Sequence, residues 1–239
     1  MTSTRLLLAR HGETDWNRIG RWQGHADPPL NETGRRQAAE LADRLAGDGI
    51  VAVYSSDLVR ASETARTVGE RLDLPVVEDP ALREIDVGAW SGLTRAEVEQ
   101  RFPEGYARWL GGEIGHDGET REQLTERAVR ATLQIATRHP GDNVLVVTHG
   151  GVIRALHRHA VGDPGAAIGN CATVPFELVE GELVVGGTWS VSVHSTAVEG
   201  RRSGRLLRCP GANHEEAAHS NEHAAFALVC QANCAIAPT

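Results

Sequence analysis

Short apolar runs alternate with amphipathic segments along the first 190 residues of the chain. Continuous apolar runs predict four buried strands, at 5–9, 51–54, 74–77 and 143–148. Apolar residues at helical spacing predict one helix that includes Ala38 to Leu45 and a second that includes Leu58 to Leu72. Because strands alternate with helices, we expect an α/β fold with a mostly parallel central sheet.

Turn and capping signals add detail to this pattern. Asp57 precedes the second helix and is predicted to cap it. Residues 81–118 are rich in glycine, tryptophan and charge, and predict loops around one short helix near Thr94 to Arg101. Thr120 and Gln123 match a capping box that opens a further helix. Another helix is expected after Gly150, at 152–159, and a hairpin at 173–179 and 183–187.

The sequence changes character near residue 200. We expect one domain over 1–199, with a cap insertion at about 88–120, and a tail over 200–239 that is poorly ordered. His219 and His223 stand four residues apart in the tail, near three cysteines. A zinc site there stays an alternative, although the spacing matches no strong zinc-binding pattern.

Composition restricts the classes of function. The formal net charge is −8, which argues against nucleic acid or an anionic membrane as partner. The sequence contains no lysine, which excludes any mechanism that needs one. No apolar run approaches the roughly 20 residues that span a bilayer, and the N-terminus lacks a signal-peptide pattern, so we expect a cytoplasmic protein. A homodimer is left open.

Three predicted strands end in unusual polar residues. Arg10-His11-Gly12, Ser55-Ser56-Asp57 and Thr148-His149-Gly150 each follow an apolar run. Ligands of open α/β sheets bind at the carboxyl ends of the strands. The three polar segments are therefore expected to meet at one site.

The residue types at these strand ends suit a phosphate monoester. Arg10 and Arg60 can pair bidentately with phosphate oxygens. A neutral imidazole can attack phosphorus, and His11 and His149 can divide the work of attack and charge stabilisation. Glu84 is the candidate general acid for the leaving oxygen, with Asp86 as the rival.

Five linked motifs then resemble one known family. They are LLLARHGETDWN (6–17), WQGHADPPLNETGRRQA (22–38), VYSSDLVRASETA (53–65), LREIDVGAWSG (82–92) and VVTHGGVIRAL (146–156). In this order and spacing they resemble the histidine phosphatase, or phosphoglycerate-mutase-like, superfamily over residues 4 to 190. The resemblance implies a three-layer α/β/α sandwich and a reaction that needs neither metal nor other cofactor.

The resemblance also implies a role for each site residue. His11 would be the phosphorylated histidine, and Arg10, Arg60 and His149 would bind the phosphoryl group. Glu84 would donate the proton. The remaining pocket positions it implies are Asn17, Gln23, Gly24 and Gly150, although Asn17 could instead only cap its loop.

The resemblance covers more than one reaction. Mutases of the family hold a second anionic substrate with a tyrosine, a lysine and an arginine pair after the glutamate, and the segment after Glu84 has none of these nearby. We expect Arg95 and Arg101 to supply the positive charge of the predicted cap. We therefore expect the phosphatase branch, acting on small metabolites such as sugar phosphates or phosphoglycerate derivatives. The alternatives are a cofactor-dependent phosphoglycerate mutase and a non-catalytic phospholigand-binding module.

Overall fold

A computed structural model describes residues 3–111, 113 and 115–187, and a six-stranded sheet lies at the centre of this part. The strands are β1 Thr4–Arg10, β2 Ile50–Ser55, β3 Val76–Glu78, β4 Asn143–Thr148, β5 Thr173–Val179 and β6 Glu182–Val185. Their order across the sheet is β3-β2-β4-β1-β5-β6. The first four are parallel, while β5 runs antiparallel to β1 and forms an antiparallel hairpin with β6. The predicted mostly parallel sheet is confirmed.

Helices cover both faces of the sheet. In the described residues they are α1 Asp15–Arg18, α2 Glu32–Leu45, α3 Val59–Leu72, α4 Arg95–Arg101, α5 Pro103–Leu110, α6 Arg121–Arg138 and α7 Gly150–Val161. Helices α2 and α3 pack on one face of the sheet, and α6 and α7 pack on the other. This arrangement is the predicted three-layer sandwich.

Strand β1 shows how the sequence produces the layers. Leu6 and Leu8 point into the core beneath α6 and α7, whereas Leu7 and Ala9 point into the core beneath α2 and α3. All four are at most 1% exposed. Successive side chains of a strand alternate between faces, so a continuous apolar run has to be buried on both sides. This burial fixes the end of β1, where Arg10 and His11 follow.

Two local predictions were wrong. Asp57 does not cap α3, since Leu58 occupies the N-cap position and Asp57 Oδ1 accepts a hydrogen bond from Arg83 Nε at 2.7 Å. Strand β3 begins at Val76 rather than at Leu74, because α3 ends with Asp73 in the left-handed conformation (φ 57°). The N–H of Leu74 then donates to Gly69 O, which closes the helix.

The predicted cap contains more helix than expected. Helix α4 begins after Thr94 with a complete capping box, as predicted. A second helix, α5, follows it directly from Pro103. Short 3₁₀ turns lie at Pro80–Leu82 and Gly88–Trp90, and Glu84 follows the first of them.

The boundary predicted near residue 199 and the tail over 200–239 lie outside the described residues. The tail histidines and cysteines considered for zinc lie there too. None of the helices that the structure describes is both long and apolar enough to cross a membrane.

Candidate active site

A cavity of about 750 Å³ lies at the carboxyl end of β1 and the start of α3. Arg10 and His11 follow β1, Arg60 lies in the first turn of α3 after β2, and His149 follows β4. Arg10, His11 and Arg60 line the cavity, while His149 is fully buried beside His11. The structure thus brings together the four side chains that the strand ends predict.

His11 is held as a neutral imidazole with one nitrogen available. Its Nδ1 lies 2.7 Å from Gly12 O, so Nδ1 carries the proton and donates to this carbonyl. Nε2 then has the lone pair and no hydrogen-bond partner among the described residues. Burial, followed by the charges of Arg60 and Arg10, holds the pKa of His11 well below 6.5. A nucleophilic form at neutral pH follows.

His149 lies against His11, with ring centroids 5.2 Å apart and planes inclined by 58°. Burial and then the charge of Arg60 keep the pKa of His149 well below 6.5 as well. Neither ring nitrogen has a hydrogen-bond partner in the described part of the chain. The neutral ring can therefore donate one N–H to a bound group.

Backbone carbonyls orient the two arginines. Arg60 is fully buried, and its Nη1 and Nη2 donate to Ala26 O at 2.7 Å and Gly24 O at 2.9 Å. Arg10 Nη1 donates to Ile168 O at 2.6 Å. Burial lowers the pKa of Arg60 to about 10 and lowers that of Arg10, so both guanidinium groups stay charged at neutral pH.

Neither Arg60, which is fully buried, nor Arg10, which is partly buried, forms a salt bridge within the described residues. Buried charges are normally paired, because leaving water is costly. Two unpaired positive charges beside two neutral imidazoles therefore create a site that favours an anion.

Unsatisfied polar atoms mark the same place. Five buried side-chain atoms have no hydrogen-bond partner among the described residues: Arg10 Nε, Gln23 Oε1, Arg60 Nε and both ring nitrogens of His149. Each such atom costs about 1–3 kcal/mol when left unsatisfied. A bound oxyanion would accept hydrogen bonds from both arginine Nε–H groups and from one imidazole N–H. An oxyanion bound in the cavity would therefore satisfy buried donors that the protein itself leaves without partners among the described residues.

Glu84 also lines the cavity. Its Oε1 accepts from the N–H of Ile85 at 2.9 Å, and its Oε2 accepts from the N–H of Gly151 at 3.0 Å. Asp86 does not line the cavity, since its Oδ1 accepts from the N–H of Gly88. Of the two candidate acids, only Glu84 is placed to reach a group bound in the cavity.

Arg127 holds the segment that carries Glu84. Its guanidinium donates to the carbonyls of Ala81, Arg83 and Glu84 at 2.7–2.9 Å. The same group pairs with Glu119 at 2.6 Å, and both side chains are less than a fifth exposed. The position of the acid is therefore set from α6, a relation that no local pattern in the sequence reveals.

The four remaining candidates have different roles. Asn17 and Gln23 line the cavity, and Asn17 Oδ1 also accepts from the N–H of Thr14, so Asn17 caps its loop as well. Gly24 lines the cavity, but its carbonyl is bonded to Arg60. Gly150 is not among the lining residues, whereas Gly151 is. A Cβ added at Gly150 would lie 3.6 Å from the Arg10 side chain. The expectation that the Gly150 backbone contributes to the phosphate pocket stays a prediction, while its neighbour Gly151 lines the cavity.

Sequence reasoning missed the supports behind the nucleophile. Asn170 Nδ2 donates to His11 O at 3.0 Å, and Thr64 Oγ1 accepts from the N–H of Gly12 while donating to Arg60 O. Thr64 lies one turn after Arg60 in α3, so helical spacing could have indicated it. Asn170 comes from a loop distant in sequence, and nothing local marks it.

Positive charge continues to the outer part of the cavity. Arg95 lines it, but Arg101 does not, and the other outer arginines come from outside the predicted cap. These are Arg21, Arg121, Arg154 and Arg158. These four lie outside the predicted cap, so an analysis restricted to the cap missed the positive charge that α6, α7 and Arg21 bring to the cavity. The cap itself also contains Arg108, which that analysis overlooked.

Comparison with known proteins defines the class to which this fold and site belong. The model of the histidine phosphatase superfamily (branch 1) matches residues 6–189, most of the chain. The chain belongs to this family.

Individual relatives carry more particular names. A metal-independent phosphoserine phosphatase of Arabidopsis thaliana is 44% identical over 160 residues, which are 64% of this chain and 67% of that protein. Phosphoglycerate mutase-like protein 4 of the same plant is 40% identical, over 65% of this chain and 70% of its own. The structure of a mycobacterial glucosyl-3-phosphoglycerate phosphatase complexed with VO₃ is similar to this one, with 34% identity and a TM-score of 0.66. That match covers 72% of this chain and 90% of the other.

Proposed function

We propose that this protein hydrolyses phosphate monoesters of small metabolites through a phosphohistidine formed on His11. The observation that carries the proposal is a neutral imidazole beside two unpaired guanidinium groups. His11 Nδ1–H is bonded to Gly12 O, so the lone pair of Nε2 is available to attack. The orphaned donors of Arg10, Arg60 and His149 lie around it and suit the oxygens of a phosphoryl group.

In the first half-reaction, Nε2 of His11 attacks phosphorus and the bond from phosphorus to the ester oxygen breaks. Arg10 and Arg60 hold the phosphoryl oxygens, and one N–H of His149 stabilises their charge. Protonated Glu84 gives its proton to the departing oxygen, so the product leaves as an alcohol.

In the second half-reaction, water attacks the phosphorus of the phosphohistidine. The Glu84 carboxylate accepts a proton from this water as the P–N bond breaks. Inorganic phosphate leaves, and His11 and Glu84 return to their starting protonation states. Each chemical role is thus filled by a side chain of the cavity.

The phosphatase class is supported by family membership and by relatives named as phosphatases. A mutase uses the same first half-reaction, but it transfers the phosphoryl group to a bound organic acceptor instead of water. Because arginines do line the outer cavity, charge alone does not exclude such an acceptor. Assay has to separate the two reactions.

The test has two parts. Hydrolysis of p-nitrophenyl phosphate is measured in the presence of EDTA, and 3-phosphoglycerate isomerisation is measured with and without 2,3-bisphosphoglycerate. Hydrolysis in EDTA without isomerisation supports the proposal and the predicted metal independence. Efficient isomerisation would establish the mutase instead. Silence in both assays would favour a phospholigand-binding module.

The expectations about cellular location, binding partners and oligomeric state stay predictions. We propose a cytoplasmic protein whose partner is a small phosphorylated metabolite, with no nucleic acid partner. A homodimer stays open, and measurement of the mass in solution decides it.

A further inference from the structure

Two arginines of α7 line the cavity, and their side chains have no partner among the residues that the structure describes. Gly151, Arg154, Ala155 and Arg158 all line it, at positions i, i+3, i+4 and i+7 of one helix face. This face begins beside Glu84, where the Gly151 N–H bonds Oε2. At 1.5 Å per residue, it extends about 10 Å away from the reaction centre.

The other outer arginines are already engaged. Arg21 pairs with Glu97 at 2.9 Å, and Arg95 lies over the rings of Tyr106 and Trp109. Arg121 Nη2 donates to Trp109 O at 3.4 Å. Within the described residues, the Arg154 and Arg158 side chains have no hydrogen bond, ion pair or ring contact. Of the arginines that line the outer cavity, these two are therefore available to bind a ligand.

The spacing of Arg154 and Arg158 destabilises the helix, so the stability of α7 does not explain why both residues are arginine. Like charges four residues apart on a helix repel each other. Arg158 lies in the last turn of α7, where a positive charge interacts favourably with the helix dipole. Arg154 lies one turn earlier, where this stabilisation is lost. Arg154 is therefore the stronger indicator of a function.

The charge of the cavity lining is opposite in sign to the net charge of the whole protein. The whole protein is acidic, with a formal net charge of −8. Among the described residues that line the cavity, seven are arginines and one, Glu84, is acidic. Arg10 and Arg60 serve the phosphoryl group, so positive charge remains unbalanced in the outer part.

We propose that Arg154, assisted by Arg158, binds a second anionic group on the leaving-group side of the substrate. Long side chains of a helix lean towards its N-terminus, which here is the reaction centre. Arg154 is one turn from Gly151, so its guanidinium can reach an anion a few bonds from the ester oxygen. The preferred substrates are thus small phosphate monoesters that also carry a carboxylate or a second phosphate. This inference rests on the proposed phosphatase activity.

The test compares substrates in pairs that differ by the second anion. O-phosphoserine is compared with O-phosphoethanolamine, and 3-phosphoglycerate with glycerol 3-phosphate, for a carboxylate. Fructose 1,6-bisphosphate is compared with fructose 6-phosphate, for a second phosphate. We expect kcat/KM to favour the doubly anionic member at least tenfold in one of these classes, and the class identifies the anion.

Variants then assign this preference to residues. Arg154→Gln should reduce the preference to less than threefold, mainly through a higher KM, and Arg154→Lys should restore part of it because the charge returns. Arg130→Gln is the matched control, since Arg130 is an exposed arginine of α6 that does not line the cavity. Glutamine is a good helix former, so α7 should tolerate the change.

Each outcome decides the question. Wild-type ratios near one, with the singly anionic members hydrolysed, would overturn the inference and keep the phosphatase. Equal losses for both members in Arg154→Gln would also overturn it. Failure on all six esters with p-nitrophenyl phosphate still hydrolysed would overturn the inference alone. Failure on p-nitrophenyl phosphate as well would overturn the proposed function on which the inference rests.

Discussion

Replacing Arg127 by methionine should weaken both the fold and the general acid. The change removes three hydrogen bonds to the carbonyls of Ala81, Arg83 and Glu84, and it leaves Glu119 without its partner. Breaking one side of a buried ion pair costs about 3–5 kcal/mol. At about 2–4 °C per kcal/mol for a domain of this size, Tm should fall by roughly 6–20 °C.

The effect on catalysis should depend on the leaving group. Glu84 stays in the chain, but its segment loses the donors that fix it. A positioned general acid contributes about 10²–10⁴-fold, so partial misplacement should slow the hydrolysis of phosphoserine, a poor leaving group, by about 10–100-fold. Hydrolysis of p-nitrophenyl phosphate, whose leaving group needs little protonation, should fall less than about fivefold.

Steady-state kinetics on both substrates, together with thermal unfolding, measures these effects. Glu119→Gln is the matched control, because it removes the ion pair and keeps the three carbonyl bonds of Arg127. It should lower Tm while leaving the ratio of the two rates near that of the wild type. If Arg127→Met lowers Tm but slows both substrates equally, Arg127 supports the fold only and the positioning argument is refuted. Should that variant not fold, Arg127→Lys, which keeps the charge but loses the planar fork, replaces it in the same comparison.

Three further predictions concern the same centre. In Gly151→Ala, the new Cβ would lie 2.1 Å from Glu84 Oε1, so the carboxyl must move; hydrolysis of poor leaving groups should fall about 100-fold with no loss of Tm, and full activity would contradict this. Glu84→Gln should slow phosphoserine hydrolysis far more than p-nitrophenyl phosphate hydrolysis, and equal losses would remove Glu84 as the acid. His11 and His149 have a pKa below 6.5 in the folded state, so unfolded chains bind more protons below this pH. The free energy of unfolding should therefore fall as the pH drops below about 6.5, by up to about 1.4 kcal/mol per pH unit for each histidine. Denaturant titrations at several pH values measure this dependence, and His149→Asn should make it weaker. An unchanged pH dependence in that variant would contradict the buried neutral form of His149.

Features that follow from local pattern were predictable from the sequence. The apolar runs of β1 and β4 require burial on both faces, and this places Arg10, His11 and His149 at adjacent strand ends. The first turn of α3 then brings Arg60 to the same edge. For these residues, periodicity and the geometry of parallel strands were sufficient.

The misses have physical causes. Helix α5 begins with Pro103 at its first position, a start signal that the sequence does contain. Asp57 resembles a cap, but the bond to Arg83 outweighs local capping. The roles of Arg127 and Arg154 depend on which face of α6 or α7 borders the cavity, and this is decided by packing between elements distant in sequence.

Chemical trapping of the phosphoenzyme tests the central claim most directly. The enzyme is mixed with substrate labelled in its phosphoryl group, quenched within milliseconds in base, and digested to locate the label. We predict an acid-labile, base-stable label on the peptide that contains His11, and no label in His11→Ala. Label on another residue, or full turnover by His11→Ala, would contradict the account.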